Sequence, residues 1–232
     1  MKLFSEKEVV EIYNNHIKRD DSYYNKSHKR YFELSDSDKK KFFNIDFPRV
    51  ASIFDFKDWI EKYDLKNVES ILSTYRDDYE LEYVNSKSIT YVEYGENGQN
   101  DLHTLNIEKK DFDFIIVNQT FEHLYNPFLC VRNLFDHLKP GGYLYTTAPT
   151  INIPHMVPFH FWGITPIGLC ILGKSAGFEI CECGFWGNLE YLNYIFTQGR
   201  WPNNGDVFDV NGIIKNNDLC QAQTWVLLQK PI

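Results

Sequence analysis

Apolar and polar positions along this chain follow two different periods, and the change of period marks its elements. Phe112, Phe114, Ile115, Ile116 and Val117 form a run too short for a helix core and rich in β-formers, as a strand covered on both faces requires. Asn118 and Gln119 close it with polar side chains. From Asn126 onward Phe128, Leu129, Val131, Leu134, Phe135 and Leu138 recur at three-to-four spacing, and Lys139-Pro140-Gly141-Gly142 supplies stop signals. Tyr143 to Ala148 restarts a β-like run. The segment 111–149 therefore reads as strand, helix, turn and strand, one βαβ unit. Parallel strands joined by a helix carry their carboxyl ends on one edge, where open α/β sheets bind ligands. Residues 118–123 fall on that edge.

The same reading extends outward. Ser5 and Glu8 form a capping box ahead of Val9, Ile12, Tyr13 and Ile17, which predicts an opening amphipathic helix, either a lid over a site or a helix packed on the sheet edge. Charged sequence follows through residue 41. Phe56, Trp59, Ile60 and Tyr63 have helical spacing and precede a short strand at 68–73. The run 88–94 reads as the second strand. Residues 93–98, EYGENG, resemble a nucleotide loop superficially, but too few residues separate Gly98 from Asp113 for a crossover and two further strands. Strands are expected at 179–185 and 223–229 and a helix at 189–196, with a surface loop or flap over 199–217.

Composition narrows the function. The chain of 232 residues is 43% hydrophobic, enough for one full core, with an N-terminal helical segment (1–66) ahead of an α/β domain (67–232). Its net charge of −8, with no basic block beyond Lys39-Lys40-Lys41, argues against a nucleic-acid face and fits a small neutral or cationic substrate. The start lacks the apolar core of a signal peptide, and no run reaches membrane-span length, so a cytoplasmic protein without membrane contact is expected. Five cysteines without zinc-ribbon spacing read as reduced; Cys181 and Cys183 are expected on one strand face.

The ordered set of Asp111, the apolar strand, Glu122-His123-Leu124, the helix, Lys139-Pro140-Gly141-Gly142 and the strand ending at Pro149 resembles the second half of class I S-adenosylmethionine-dependent methyltransferases. His160 to Leu169 and Ser175 to Glu179 extend the likeness to members that modify sugars or small metabolites. It implies a three-layer fold with a mostly parallel, seven-stranded Rossmann-like sheet whose last strand is antiparallel. It also implies S-adenosylmethionine as cofactor and O-methylation of a sugar, glycan or other small-molecule acceptor. Glu93 would then accept hydrogen bonds from the ribose hydroxyls, Asp101 would face the adenine amino group and Leu102 its ring, with Asn118 and Gln119 at the edge of the fourth strand.

One departure stands out. The family places a glycine-rich turn between the first strand and its helix, whereas this chain has no glycine before Gly95. The equivalent turn reads Ser73-Thr74-Tyr75-Arg76-Asp77-Asp78, whose hydroxyls and Arg76 would replace bare backbone as partners of the cofactor carboxylate. The alternative is a non-catalytic protein of this fold that binds a partner or ligand.

Methyl transfer needs an aligned acceptor and a group to take its proton, a role suited to histidine. His160, His155 and His123 are the candidates, all expected on one rim. Trp162, Trp186 and Tyr191 are candidates for stacking on a sugar or shielding the sulfonium. Relatives that use a metal hold it with Glu, two residues, then Glu-His. Here Gln119 takes the first position, so no such metal site is expected, although Glu122, His123 and one of His155 or His160 remain a reduced ligand set.

Overall fold

The computed structural model describes residues 2–92, 101–202, 215–217 and 219–232. Its helices are α1 (Glu6–Ile12), α2 (Asp21–Phe32), α3 (Asp36–Lys41), α4 (Phe47–Lys62), α5 (Pro127–His137), α6 (Pro166–Ala176) and α7 (Leu189–Gln198). The strands are β1 (Asn67–Ser73), β2 (Asn85–Tyr91), β3 (Phe112–Asn118), β4 (Leu138–Pro149), β5 (Glu179–Trp186) and β6 (Gln223–Gln229). They form one sheet in the order β2-β1-β3-β4-β6-β5. β1, β2, β3 and β4 run parallel, and β6 is antiparallel to both neighbours.

The sheet carries a core on each face. Ile71, Phe114, Ile116, Tyr145, Trp225 and Leu227 face α4 and α7, while Leu72, Ile115, Val117, Leu144, Val226 and Leu228 face α5 and α6. Strands buried on both sides need continuous apolar runs, which is why 112–117 and 225–228 read so plainly.

Three expectations are corrected. The sheet has six strands rather than seven among the described residues, and 101–111 folds as turns and coil. Thr104 and Leu105 both donate to the Asp101 carbonyl, at 3.0 and 2.7 Å, closing a local turn where a strand would need extended backbone. Second, the return from β1 to β2 (74–84) contains no α-helix, only a 3₁₀ turn at Tyr79–Tyr83. Third, Cys181 and Cys183 lie on opposite faces, one against each core, because a register shift between Ile180 and Glu182 breaks the two-residue alternation. The 199–217 loop lies largely outside the described residues.

The capping box is present: Glu8 N donates to Ser5 Oγ at 3.3 Å, and Ser5 N to Glu8 Oε2 at 2.8 Å. The N-terminal helices pack against the edge strand β5. The Tyr23 hydroxyl donates to Phe185 O and accepts from Phe185 N, and Arg19 donates to Cys183 O, so side chains take up edge groups that would otherwise be free to pair. At Gly184 a Cβ would stand 2.2 Å from Trp225 Nε1 and 2.7 Å from Asp55 Oδ2, two groups that hydrogen-bond each other at 3.1 Å. Gly184→Ala is therefore expected to destabilise the fold by about 1–3 kcal/mol through overpacking, read as a lower urea midpoint at unchanged slope.

Candidate functional site

The carboxyl ends of β1, β3 and β4 meet on one edge, and buried charge organises it. Arg49, from the first turn of α4, makes a two-pronged pair with Glu80 on the 3₁₀ turn: Nη1 to Oε1 at 2.6 Å and Nη2 to Oε2 at 2.5 Å. Asn118, at the end of β3, donates to Glu80 Oε2 at 3.0 Å. The Ser73 hydroxyl lies 2.9 Å from Tyr75 O and 3.2 Å from Asp78 Oδ2, fixing the turn that follows β1. Arg49 Nη2 also lies 3.5 Å from Asp78 Oδ1. Burial, reinforced by the nearby Glu80 charge, pushes the Asp78 carboxyl up to about 6, with Arg49 opposing. Two buried polar atoms here, Thr74 Oγ1 and Asn118 Oδ1, have no hydrogen-bond partner among the described residues.

Beside this network opens a cavity of about 350 Å³, at the small end of ligand pockets. Arg49, Gln119, Asn152, His155, Tyr191 and Trp201 bring polar groups or rings to its wall. Tyr191 OH donates to Asp46 Oδ2 at 2.6 Å, and Trp201 Nε1 to Asn152 Oδ1 at 2.8 Å. Gln119 sits at φ 45°, with its backbone and side-chain amides 3.2 and 3.0 Å from Thr147 Oγ1.

The three predicted histidines come together. Ring centroids are 4.8 Å apart for His123 and His155, 4.7 Å for His155 and His160, and 5.8 Å for His123 and His160. Of the three, His155 lines the cavity. Next to them Glu122 is fully buried, and burial pushes its carboxyl up to about 8. Burial also lowers the pKa of His123 and His160, favouring neutral rings.

Other predicted residues are placed differently. Tyr75 is exposed at the rim, and the Arg76 guanidinium lies over the Tyr91 ring, 4.5 Å from its centroid. The Asp101 carboxylate is engaged by His103, through the backbone N at 2.9 Å and the ring Nδ1 at 2.5 Å. Leu102 is buried in the core formed with α5 and α6. Glu93 lies outside the described residues. Trp186 is fully buried in the opposite core and reaches no ligand surface, whereas Trp162 is partly exposed and donates to Leu124 O. Sequence reading missed Arg49, Glu80, Asp46 and Trp201. The signal for Arg49 was present, a lone cation inside the apolar run FPRVASIF.

Residues 67–146 match the family model for a methyltransferase domain. In fold, the chain is similar to a candidate sarcosine dimethylglycine methyltransferase from Galdieria sulphuraria, at 13% identity over 85% of this chain and 99% of that one, TM-score 0.53. It is also similar to a candidate methyltransferase in complex with the Haloferax volcanii Trm112 methyltransferase activator, at 10% identity over 78% of this chain and 96% of that one, TM-score 0.51. A S-adenosylmethionine-dependent methyltransferase from Archaeoglobus fulgidus shares 15% identity over 75% of this chain and 92% of that one, TM-score 0.47. No curated protein sequence matches the chain. The chain thus resembles class I S-adenosylmethionine-dependent methyltransferases over residues 67–146 and shares their Rossmann-like fold. No helix among the described residues is long and apolar enough to cross a membrane.

The raised Asp78 carboxyl has a thermodynamic signature. Its folded pKa, about 6, exceeds the unfolded value of 3.8, so the native state holds the extra proton between those values and this group's contribution falls as pH rises through them. Asp78→Asn, a mimic of the protonated form, should match the parent near pH 4 and exceed it by about 1–3 kcal/mol at pH 7. Chemical denaturation at the two pH values checks this.

Proposed function

We propose that this chain is an S-adenosylmethionine-dependent methyltransferase that methylates a hydroxyl on a sugar, glycan or other small molecule. The observation that carries the reading is the histidine cluster, which opens through His155 into a cavity at the carboxyl edge of β3 and β4.

The residues at this edge suit the amino-acid end of the cofactor. Thr74 Oγ1 and Asn118 Oδ1 are buried acceptors with no partner yet, the Gln119 amide reaches the cavity, and Arg49 brings a cation to its wall. Side chains thus stand where the family uses bare glycine backbone. Ser73, Tyr75 and Arg76 extend this face, and Asp101 and Glu93 would serve the adenosine end, Asp101 by exchanging its bond to His103 for the ligand. Bound here, the cofactor supplies an electrophilic methyl group.

The chain's own residues then do three things. Trp201 and Tyr191 offer rings to an acceptor, and Arg49 and the amides would hold the cofactor's amino-acid end against it. An imidazole of the cluster takes the hydroxyl proton as the oxygen–carbon bond forms and the sulfur–carbon bond breaks, leaving the cofactor as a neutral thioether. A hydroxyl needs that proton removed, whereas a neutral tertiary amine does not, so the cluster suits a proton-bearing acceptor such as a hydroxyl over a tertiary amine. Burial helps by keeping His123 and His160 neutral and able to accept.

One observation favours a second reading, a non-catalytic protein of this fold that binds a partner: Arg49 is already paired with Glu80, and the turn after β1 lacks glycine. Transfer of labelled methyl from S-adenosylmethionine to a panel of sugar and small-molecule hydroxyls separates the two. On the acceptor that turns over, His155→Ala should lower kcat by ~100-fold or more while cofactor affinity changes little. Unchanged turnover would remove His155 from the chemistry, and unchanged turnover in the His123→Ala and His160→Ala variants as well would remove the cluster.

A further inference from the structure

We propose that His123, His155 and His160, together with the carboxylate of Glu122, form a binding site for a divalent transition metal of the zinc class. One ring nitrogen from each histidine lies within 4.8 Å of the others. Ligands of a tetrahedral ion about 2.0–2.1 Å from each nitrogen would be roughly 3.4 Å apart, so small side-chain rotations complete the contraction.

The tautomers are already set. His123 Nδ1 lies 2.7 Å from Phe159 O, and His155 Nδ1 lies 3.1 Å from Ile153 O. A carbonyl only accepts, so both Nδ1 atoms carry the hydrogen and both Nε2 atoms present lone pairs. Metal-binding histidines are typically oriented by such a bond to a backbone carbonyl. His160 Nδ1 is buried without a hydrogen-bond partner among the described residues.

The second observation is Glu122. Its side chain is wholly buried, and neither carboxylate oxygen has a hydrogen-bond partner among the described residues. Oε1 lies 3.7 Å from His123 Nε2 and 4.0 Å from His155 Nε2. A carboxylate buried without a partner is costly, and a cation between it and the imidazoles would be the missing one. The scaffold is clamped as well, because the Glu122 carbonyl accepts from Phe161 N at 2.7 Å and Trp162 N at 3.3 Å. That joins the short turn bearing Glu122 and His123 to the loop bearing His155 and His160.

Three imidazoles and one carboxylate suit zinc, iron, cobalt or nickel, whereas magnesium and calcium require mostly oxygen ligands. The site stands without the methyl-transfer reading. Where both hold, the ion acidifies an acceptor hydroxyl at the cavity wall, and His155 acts as ligand rather than free base.

The test uses the full chain, stripped with a chelator, titrated with Zn²⁺ by calorimetry and with Co²⁺ by visible absorption. The expected result is one ion per chain at micromolar Kd or tighter, with a cobalt spectrum free of thiolate charge-transfer bands. His155→Asn and His160→Asn should each weaken binding by ~100-fold or more, while Cys181→Ser leaves it unchanged. His155 sits in a loop, and the metal-free melting curve of each variant confirms that it folds. No saturable binding at about 100 μM Zn²⁺, or undiminished binding in the His155→Asn/His160→Asn double variant, would overturn the site. Because the readout is the metal itself, an inactive protein that binds zinc refutes only methyl transfer, and an active one that does not refutes only the site.

Discussion

Between β1 and β2 the chain returns through residues 74–84 without an α-helix, and the buried Arg49–Glu80 pair holds that return in place. A parallel crossover normally packs a helix on the sheet to cover it. Here α4 already covers that face, and its first turn supplies a guanidinium that locks the 3₁₀ turn by two parallel bonds while Asn118 ties the same carboxylate to β3. Such a pair contributes little net stability against an apolar replacement, but removing either partner leaves a buried charge, at a cost of about 3–5 kcal/mol. The arrangement thus fixes geometry more than it adds stability. It sets Thr74, Asn118 and Gln119 along one edge and leaves a cavity beside them.

That placement explains how a chain without the glycine turn can keep the architecture of a methyltransferase. Glycine lets backbone approach a ligand; here hydroxyls, amides and a cation reach the same edge from side chains. His155, on the loop after β4, reaches the cavity wall, and the cluster is shared between that loop and the turn after β3 that bears His123. Glu122 links the two halves, since its carbonyl anchors that loop while its side chain lies beneath the imidazoles.

Much of the fold was legible in the pattern of apolar positions. The βαβ unit at 111–149, the strands at 179 and 223 and the capping box at Ser5 each depend on local periodicity or local chemistry, and local rules found them. What escaped depends on distant partners. No period announces that a register shift will turn Cys181 and Cys183 to opposite faces, that the Asp101 carboxylate will be taken up by His103, or that Arg49 will find Glu80. The histidines were legible as a set because loops at the carboxyl ends of neighbouring parallel strands converge on one rim. Their contact with Glu122 was not, because it arises where one loop folds over a turn.

In the proposed function, side chains at the ends of β1 and β3 replace a glycine turn as a cofactor site. Calorimetric titration with S-adenosylmethionine and S-adenosylhomocysteine, with NAD as the control nucleotide, tests it most directly. Micromolar Kd is expected for the first two, about −8 kcal/mol, and no binding of NAD. Absence of binding at millimolar ligand would contradict it, and would mean that the Arg49–Glu80 pair closes this edge rather than preparing it.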